Sequence, residues 1–231
     1  MKDKTTIWGR FKKDPGGQSE AGRKAQATRI FLVRHGQPEQ HSDKIFLGQA
    51  DVPLSDRGRR EAEMAGDKLI RLGACVKRIY TSDLARAKET ADIIAEGLGG
   101  VAVVPDKLFR EMAMGLWDGE LIEDIKAKFP YEYSKRGDDL RNYRVPGGEN
   151  FYDLRGRVLR EFLRIFAEDF SGARQGGAGD LVIVAHLGVI TVIAEELQPE
   201  IYGDGKNRFF ATGSVTVIKA PDWLRSVGNP L

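Results

Sequence analysis

The sequence predicts an α/β domain, a three-layer sandwich in which a mostly parallel central sheet is flanked by helices. Two short, continuous apolar segments, 29–33 and 181–185, have the composition of strands that are buried on both faces. Weaker strand segments alternate with amphipathic helical segments around them, which is typical of parallel sheets joined by crossover helices. The chain has 231 residues, enough for such a domain to bury its own core.

The elements are predicted from apolar periodicity, which repeats about every 3.6 residues in helices and forms short apolar runs in buried strands. In chain order, the predicted elements are a strand over 29–33, a helix over 56–72, a strand over 78–81, a helix over 84–98, a strand over 101–104, a short helix over 121–128, a long helix over 151–165, a strand over 181–185, a helix over 188–197 and a strand over 215–218.

Capping and turn residues indicate where these elements begin and end. Ser55 and Ser82 are the expected N-caps of the first two helices, because a serine oxygen can accept a backbone N–H of the first turn. Residues 106–148 are predicted to be irregular apart from the one short helix, with turns at Pro130 and Gly137.

The charge distribution separates a basic N-terminal segment from the rest of the chain. Residues 1–28 contain seven basic and three acidic residues, and the remainder contains 29 basic against 31 acidic residues. We expect a flexible basic extension over 1–28, either a solvated tail or an arm that docks a partner or an anionic ligand, and one domain over 29–231. No nucleic-acid-binding motif accompanies the basic residues, so we expect no nucleic-acid partner.

No segment of the sequence resembles a membrane span or a secretory signal. No apolar run approaches the roughly 18 to 20 residues that cross a bilayer, and the basic N-terminus lacks the apolar stretch of a signal peptide. Cys75 is the single cysteine, which excludes an internal disulfide, suits a reducing compartment and is expected to be a small buried side chain. These features predict a cytoplasmic protein with no membrane contact.

Two of the three histidines stand directly after the two apolar strands. His35 follows the first strand and His186 follows the second. Because ligands of open α/β sheets bind outside the carboxyl ends of the strands, both imidazoles are expected at one ligand site. A single histidine at a strand end is more often structural, but two in equivalent positions favour a function.

Two arginines accompany these histidines. Arg34 precedes His35, and Arg86 lies in the first turn of a predicted helix that follows a strand. A guanidinium matches the oxygens of phosphate, and a helix N-terminus adds backbone donors. Arg86 alone would be interpreted as a solvated surface residue, whereas the four side chains together predict a pocket for a dianion.

Further motifs surround these residues in a fixed order, and together they extend over about 29–220. They are Leu32 to Gly36, Gly48 to Ser55, Tyr80 to Ala87, Arg110 with Glu111, Gly115 to Gly119, Pro146 to Glu149, and Val184 to His186. The series resembles the histidine phosphatase superfamily, also called the phosphoglycerate mutase-like fold. One Arg-His-Gly triplet would be weak evidence, but the ordered series is specific.

The resemblance implies a role for each residue of the predicted pocket. His35 would be the nucleophile, whose neutral imidazole attacks phosphorus and forms a phosphohistidine. Arg34, Arg86 and His186 would hold the phosphoryl oxygens. Glu111 would protonate the leaving oxygen and then activate water. Because arginines neutralise the charge in this scheme, we expect neither a metal nor a cofactor.

Four positions depart from the pattern of the family. Gln37, His41, Leu187 and Thr191 stand where Glu, Asn, Gly and Arg are frequent, which leaves substrate preference open. His41 has a second interpretation as an ordinary loop histidine. The expected substrate-binding residues are Arg34, Gln37, His41, Gly48, Arg86, His186 and Leu187.

The segment after Glu111 favours hydrolysis over transfer. The cofactor-dependent mutases of the family carry a longer insertion there, with an Arg-His-Tyr-Gly stretch, whereas 112–119 runs directly into a short helix. We therefore expect a metal-independent phosphomonoesterase that acts on a small phosphorylated metabolite, resembling α-ribazole and broad-specificity phosphatases. Mutase-type transfer and a non-catalytic phosphoester-binding module are the alternatives, although all five catalytic positions are present.

The segment 131–143 and its basic neighbours have two interpretations. Lys135, Arg136, Arg141 and Arg144 would belong either to a lid that recognises the rest of the substrate or to a solvated charged face. The expected partner is a small-molecule phosphomonoester, and the sequence makes no prediction of oligomeric state.

Overall fold

The computed structural model describes residues 28–39, 44–169, 179–203 and 210–225. Within them, five strands form one sheet in the order β3-β2-β4-β1-β5. Strands β1 to β4 are parallel and β5 is antiparallel to β1, which confirms the prediction of a mostly parallel sheet. The strands are β1 (Arg29–Arg34), β2 (Val76–Thr81), β3 (Ala102–Pro105), β4 (Asp180–Ala185) and β5 (Val215–Lys219).

Helices join the strands and cover the sheet. They are α1 (Asp56–Arg71), α2 (Ala85–Gly97), α3 (Ile122–Lys128), α4 (Pro130–Asp138), α5 (Phe151–Asp169), α6 (Leu187–Leu197), α7 (Pro199–Tyr202) and α8 (Asp222–Arg225). No helix of the described ranges is both long enough and apolar enough to cross a membrane. The predicted extension lies outside the described residues as far as residue 27.

Strand β1 separates two cores, because successive side chains of a strand point to opposite faces. Ile30 and Leu32 pack into a cluster with apolar residues of α5 and α6. Phe31 and Val33 pack into a second cluster with residues of α1 and α2. All four side chains are fully buried. The sheet is therefore covered on both faces, and the predicted three-layer arrangement is confirmed.

The first predicted N-cap is confirmed and the second is wrong. Ser55 caps α1, where its Oγ accepts a hydrogen bond from the Gly58 N–H at 3.1 Å. Helix α2 instead begins after Leu84, which has no side-chain cap. The Asp51 carboxylate, distant in sequence, accepts from the Ala85 N–H at 2.7 Å. The Asp51 carboxylate thus accepts a backbone N–H at the start of α2, the role that was predicted for Ser82.

The prediction of turns at Pro130 and Gly137 is also wrong, because both residues belong to α4. Pro130 occupies the first turn of that helix, where a backbone N–H has no intrahelical partner and its absence is tolerated. Tyr133 of α4 packs against a small cluster formed by Met114, Trp117, Ile125 and Val145. The region predicted as irregular therefore has a core of its own.

A buried carboxylate joins the beginnings of three strands. Asp180 opens β4 and accepts hydrogen bonds from the backbone N–H of Arg29 at 3.2 Å and from its Nε at 3.0 Å. It also accepts from the backbone N–H of Cys75, just before β2, at 2.8 Å. The Cys75 side chain itself is exposed, contrary to the expectation of a buried thiol.

We expect Asp180→Asn to lower the free energy of unfolding by about 2 kcal/mol, because the neutral amide would leave the Arg29 charge without a counter-ion and could not accept every hydrogen bond. Urea denaturation measures this loss. Asp92→Asn, which breaks the exposed pair of Lys88 with Asp92, is the control and should change stability little. Equal effects of the two substitutions would contradict the role given to Asp180.

Candidate active site

The two predicted histidines lie side by side at the carboxyl ends of neighbouring strands. Strands β1 and β4 pair in parallel, with Arg34 opposite Ala185. The backbone N–H of His35 donates to the Ala185 carbonyl at 2.9 Å. The centroids of the His35 and His186 rings are 5.0 Å apart. The pairing of the two apolar strands therefore brings together residues that are far apart in the sequence.

The ring of His35 is held in one tautomer. Its Nδ1 lies 2.7 Å from the Gly36 carbonyl oxygen. Because a carbonyl can only accept a hydrogen bond, Nδ1 must carry the proton, and Nε2 keeps its lone pair when the ring is neutral. Burial, together with the nearby charges of Arg86 and Arg34, lowers the pKa of His35 to about 3. His35 is thus a neutral imidazole with Nε2 free.

His186 is fully buried at the N-cap of α6. Neither of its ring nitrogens has a hydrogen-bond partner among the described residues. Burial, followed by the charges of Arg86 and the proximity of His35, holds the pKa of His186 well below its ordinary value. A buried polar atom without a partner is costly, so the two nitrogens suit a polar ligand.

Arg34 and Arg86 place two positive charges near His35 and His186. Neither arginine forms an ion pair with a carboxylate in the described part of the chain. Arg86 is fully buried and donates to the carbonyls of Ala50 at 2.7 Å and Gly48 at 2.8 Å. Arg34 donates to the Phe210 carbonyl at 2.6 Å. Burial lowers the pKa of Arg34, and it lowers the pKa of Arg86 to about 10. Each Nε is buried without a hydrogen-bond partner in the part of the chain that the structure describes, and the pair therefore suits an anion.

Gly36 allows the histidine loop to pack tightly against α1. A Cβ at this position would lie 2.2 Å from the carbonyl oxygen of Gly58, a distance that no side chain tolerates. The Gly36 N–H donates to Thr90 Oγ1 at 3.0 Å, and this hydroxyl donates to the Arg86 carbonyl at 2.7 Å. The glycine after His35 thus connects the loop that carries His35 to the helix that carries Arg86.

Glu111 lies at the N-terminus of α6, near enough to Arg34 and Arg86 to raise their pKa values against the effect of burial. Its Oε2 accepts from the Gly188 N–H at 3.1 Å and its Oε1 accepts from the Met112 N–H at 2.8 Å. These two backbone donors fix the orientation of the Glu111 carboxyl group. A Cβ on Gly188 would lie 2.4 Å from Glu111 Oε1, so only glycine leaves room for the carboxylate.

The backbone of Glu111 is fixed by residues to which the sequence assigned no role. The Glu111 carbonyl accepts from Arg157 at 2.9 Å and from the Gln49 side chain at 3.0 Å. Arg157 also forms a two-pronged ion pair with Glu149, with distances of 2.7 and 2.8 Å. Glu149 belongs to the Pro146 to Glu149 motif of the sequence, but no sequence signal indicated its partner Arg157.

A cavity of about 350 Å³ adjoins Glu111. Gly48 and Leu187, two of the predicted substrate-binding residues, line it together with Gly188. Arg136 and Arg141 also line it, whereas Lys135 and Arg144 are exposed. Exposure of Lys135 and Arg144 fits the interpretation as a solvated charged face, and recognition of the substrate by Arg136 and Arg141 stays a prediction. The apolar wall is formed mainly by Phe46, Met112, Met114, Leu140, Phe151 and Leu187.

The family model of the histidine phosphatase superfamily, branch 1, matches residues 30–224. This chain belongs to that superfamily. The matched range contains both strand-end histidines, Arg34, Arg86 and Glu111. The resemblance that the ordered motifs indicated is confirmed.

Relatives of this superfamily member include a mutase and phosphatases. A 2,3-bisphosphoglycerate-dependent phosphoglycerate mutase of Azorhizobium caulinodans is 33% identical over 177 residues, which are 74% of this chain and 83% of the relative. A mycobacterial glucosyl-3-phosphoglycerate phosphatase, solved in complex with VO3, is 26% identical with a TM-score of 0.70 and covers 87% of this chain and 95% of its own. The α-ribazole phosphatase of Shigella flexneri shares the fold, with 23% identity, a TM-score of 0.69 and coverage of 82% and 89%. Family and neighbours together support an enzyme of the histidine phosphatase type.

All the expected substrate-binding residues stay predictions, including Gln37 and His41. The backbone of Gln37 is tied to α1, since its N–H donates to Glu61 at 2.8 Å and its carbonyl accepts from the Ser55 N–H at 3.0 Å. The Gln37 side-chain oxygen accepts from Ser55 Oγ at 3.4 Å. His41 lies outside the described residues.

We expect His35 to stay neutral, with its proton on Nδ1, from about pH 8 to about pH 5. Long-range ¹H–¹⁵N NMR correlations of the imidazole distinguish the tautomers, and comparison with His35→Ala assigns the signals. In urea the same ring should titrate near its ordinary pKa of 6.5. Since the unfolded histidine binds the proton first, His35 should make unfolding easier as the pH falls from 6.5 towards about 3. A folded-state midpoint near 6.5 would contradict this assignment.

Proposed function

We propose that this superfamily member is a metal-independent phosphomonoesterase that acts on a small phosphorylated metabolite through a phosphohistidine on His35. One observation carries the proposal: Nε2 of a neutral, buried His35, which keeps its lone pair, stands near two arginines that form no ion pair with a carboxylate of the described residues. A nucleophile and a site for a dianion are thus combined at one strand end.

In the first step, the phosphoryl oxygens are held by Arg34, Arg86 and His186. The Nε2 lone pair of His35 attacks phosphorus, and a P–N bond forms as the bond to the leaving oxygen breaks. The leaving oxygen takes a proton from Glu111. The Gly36 carbonyl accepts from Nδ1 at 2.7 Å and so stabilises the positive charge that the imidazole gains.

In the second step, water is the acceptor. Glu111, now a carboxylate, takes a proton from water as the water oxygen attacks phosphorus. The P–N bond breaks, its electron pair returns to Nε2 of His35, and inorganic phosphate leaves. Glu111 ends protonated, ready to protonate the next leaving group.

The segment after Glu111 supports water as the acceptor. It forms a short 3-10 turn, Gly115–Trp117, whose Trp117 is buried with Met114 against Ile125 and Val145. The segment is therefore packed beside the cavity and supplies no extended cover for a bisphosphate. Mutase-type transfer is the second candidate because a relative of similar length is a mutase.

We expect His35→Ala to reduce phosphate release by about a thousandfold or more, because no other group can form the covalent intermediate. Release is measured in EDTA from nitrophenyl phosphate, sugar phosphates, phosphoglycerates and α-ribazole phosphate. Circular dichroism and urea denaturation test whether the variant keeps its fold.

Normal turnover by a folded His35→Ala variant would reject the mechanism. If the wild-type enzyme moved phosphate between phosphoglycerates without releasing it, the mutase alternative would replace hydrolysis. If no ester were hydrolysed and His35 took up no phosphate, a binding module would be the remaining explanation.

We expect Glu111→Gln to slow hydrolysis of alkyl phosphates by about a hundredfold or more and that of nitrophenyl phosphate much less. An alkoxide needs the proton of a general acid to leave, whereas nitrophenolate is a good leaving group without it. The ratio of kcat/KM for the two esters measures the difference. Equal losses for both esters would show that Glu111 does not act as the acid.

A further inference from the structure

Arg136 is a half-buried cation in the wall of the cavity beside Glu111. Its guanidinium carbon lies 5.3 Å from the centre of the Phe46 ring. Its Nη2 makes a long contact of 3.9 Å with Met114 Sδ, which is a weak acceptor. No carboxylate of the described residues forms an ion pair with Arg136, and burial lowers its pKa. The side chain therefore bears a desolvation cost that its protein contacts do not offset.

The neighbouring basic side chains are satisfied differently. Arg141 stacks on the Phe151 ring and pairs with Glu195 at 2.7 Å. Arg144 pairs with Asp153 at 2.7 Å. Lys135 is exposed, with its Nζ 4.6 Å from the Tyr131 ring centre. Within the described residues, Arg136 is thus the cavity-lining cation whose charge is not compensated by a carboxylate.

The position of the cavity relates it to the leaving group. If phosphorus is attacked by His35 and the leaving oxygen is protonated by Glu111, the remainder of the substrate extends past Glu111 into this cavity. Its wall is mainly apolar, with Met112, Phe151 and Leu187 beside Glu111. In such surroundings water competes weakly for an ion pair, and an apolar body gains free energy by leaving water.

We infer that the cavity binds the leaving-group part of the substrate and takes an alcohol with an apolar or aromatic body and a second anionic group, a carboxylate or a phosphate, that pairs with Arg136. The inference rests on the proposed function and names its substrate class. A neutral alcohol would leave the guanidinium desolvated, whereas a second anion would offset that cost and give two hydrogen bonds in the fork geometry of arginine.

Non-hydrolysable phosphonates test the inference without depending on turnover. Calorimetric titration compares phenylphosphonate with its meta- and para-carboxyl derivatives and with phenylene bisphosphonate. We expect at least one doubly anionic compound to bind wild-type protein about tenfold more tightly than phenylphosphonate. The carboxyl and bisphosphonate compounds distinguish a carboxylate from a phosphate as the second anion.

Three variants assign the preference to one side chain. Arg136→Met should abolish it while leaving the affinity for phenylphosphonate unchanged or higher, and Arg136→Lys should retain part of it. Lys135→Met is the matched control, because it removes a cation from the adjacent position of α4 that does not line the cavity, and it should keep the preference.

Equal binding of the mono- and dianionic compounds by wild-type protein, or a preference that survives in Arg136→Met, would overturn the inference. Release of phosphate from phenyl phosphate, measured in the same preparations, reports the proposed function separately. Turnover without any preference would remove only the role of Arg136. Failure of every phosphonate to bind, together with no turnover, would remove the phosphate pocket and both proposals.

Discussion

Positive charge that no ion pair of the described residues takes up, near the carboxyl ends of β1 and β4, is the constraint on which the rest of the site depends. Arg34 and Arg86 are held by backbone carbonyls, which orient a guanidinium but leave its charge in place. That charge disfavours protonation of His35 and His186 and so helps to keep both rings neutral. In the proposed mechanism, the groups that would attract a dianion thus also favour the neutral form of the imidazole.

At the opposite end of the sheet, by contrast, the buried charge has an ion-pair partner. There, Asp180 is fully engaged by Arg29 and by the backbone of Cys75, so the buried charge is paired and hydrogen-bonded. At the site end, the Nε atoms of two arginines and both nitrogens of His186 lack partners among the described residues. The parallel pairing of apolar strands between the two ends holds the unpaired groups in place, because neither β1 nor β4 can shift without exposing its buried side chains.

Features that depend on neighbouring residues in the sequence were predicted correctly, whereas features that depend on residues distant in the sequence were not. The strands and the strand-end histidines were predictable because an apolar run and the residue after it are local features. The N-terminus of α2 was not, because Asp51 reaches it from a distant loop. Pro130 indicates a turn or a helix start equally well until Tyr133 is seen to pack on its cluster. Arg157 lies on a long amphipathic helix, where nothing in the sequence separates it from a surface arginine.

The first turn of α6 carries both a wall residue of the cavity and a backbone donor to Glu111. The Gly188 N–H anchors the Glu111 carboxylate, and Leu187 beside it forms part of the cavity wall. In the proposed mechanism, a leaving group must fit against Leu187 to bring its oxygen to Glu111. Selection of the alcohol and protonation of its oxygen would then depend on the same helix turn, while Arg157 and Gln49 hold the backbone of Glu111 through its carbonyl.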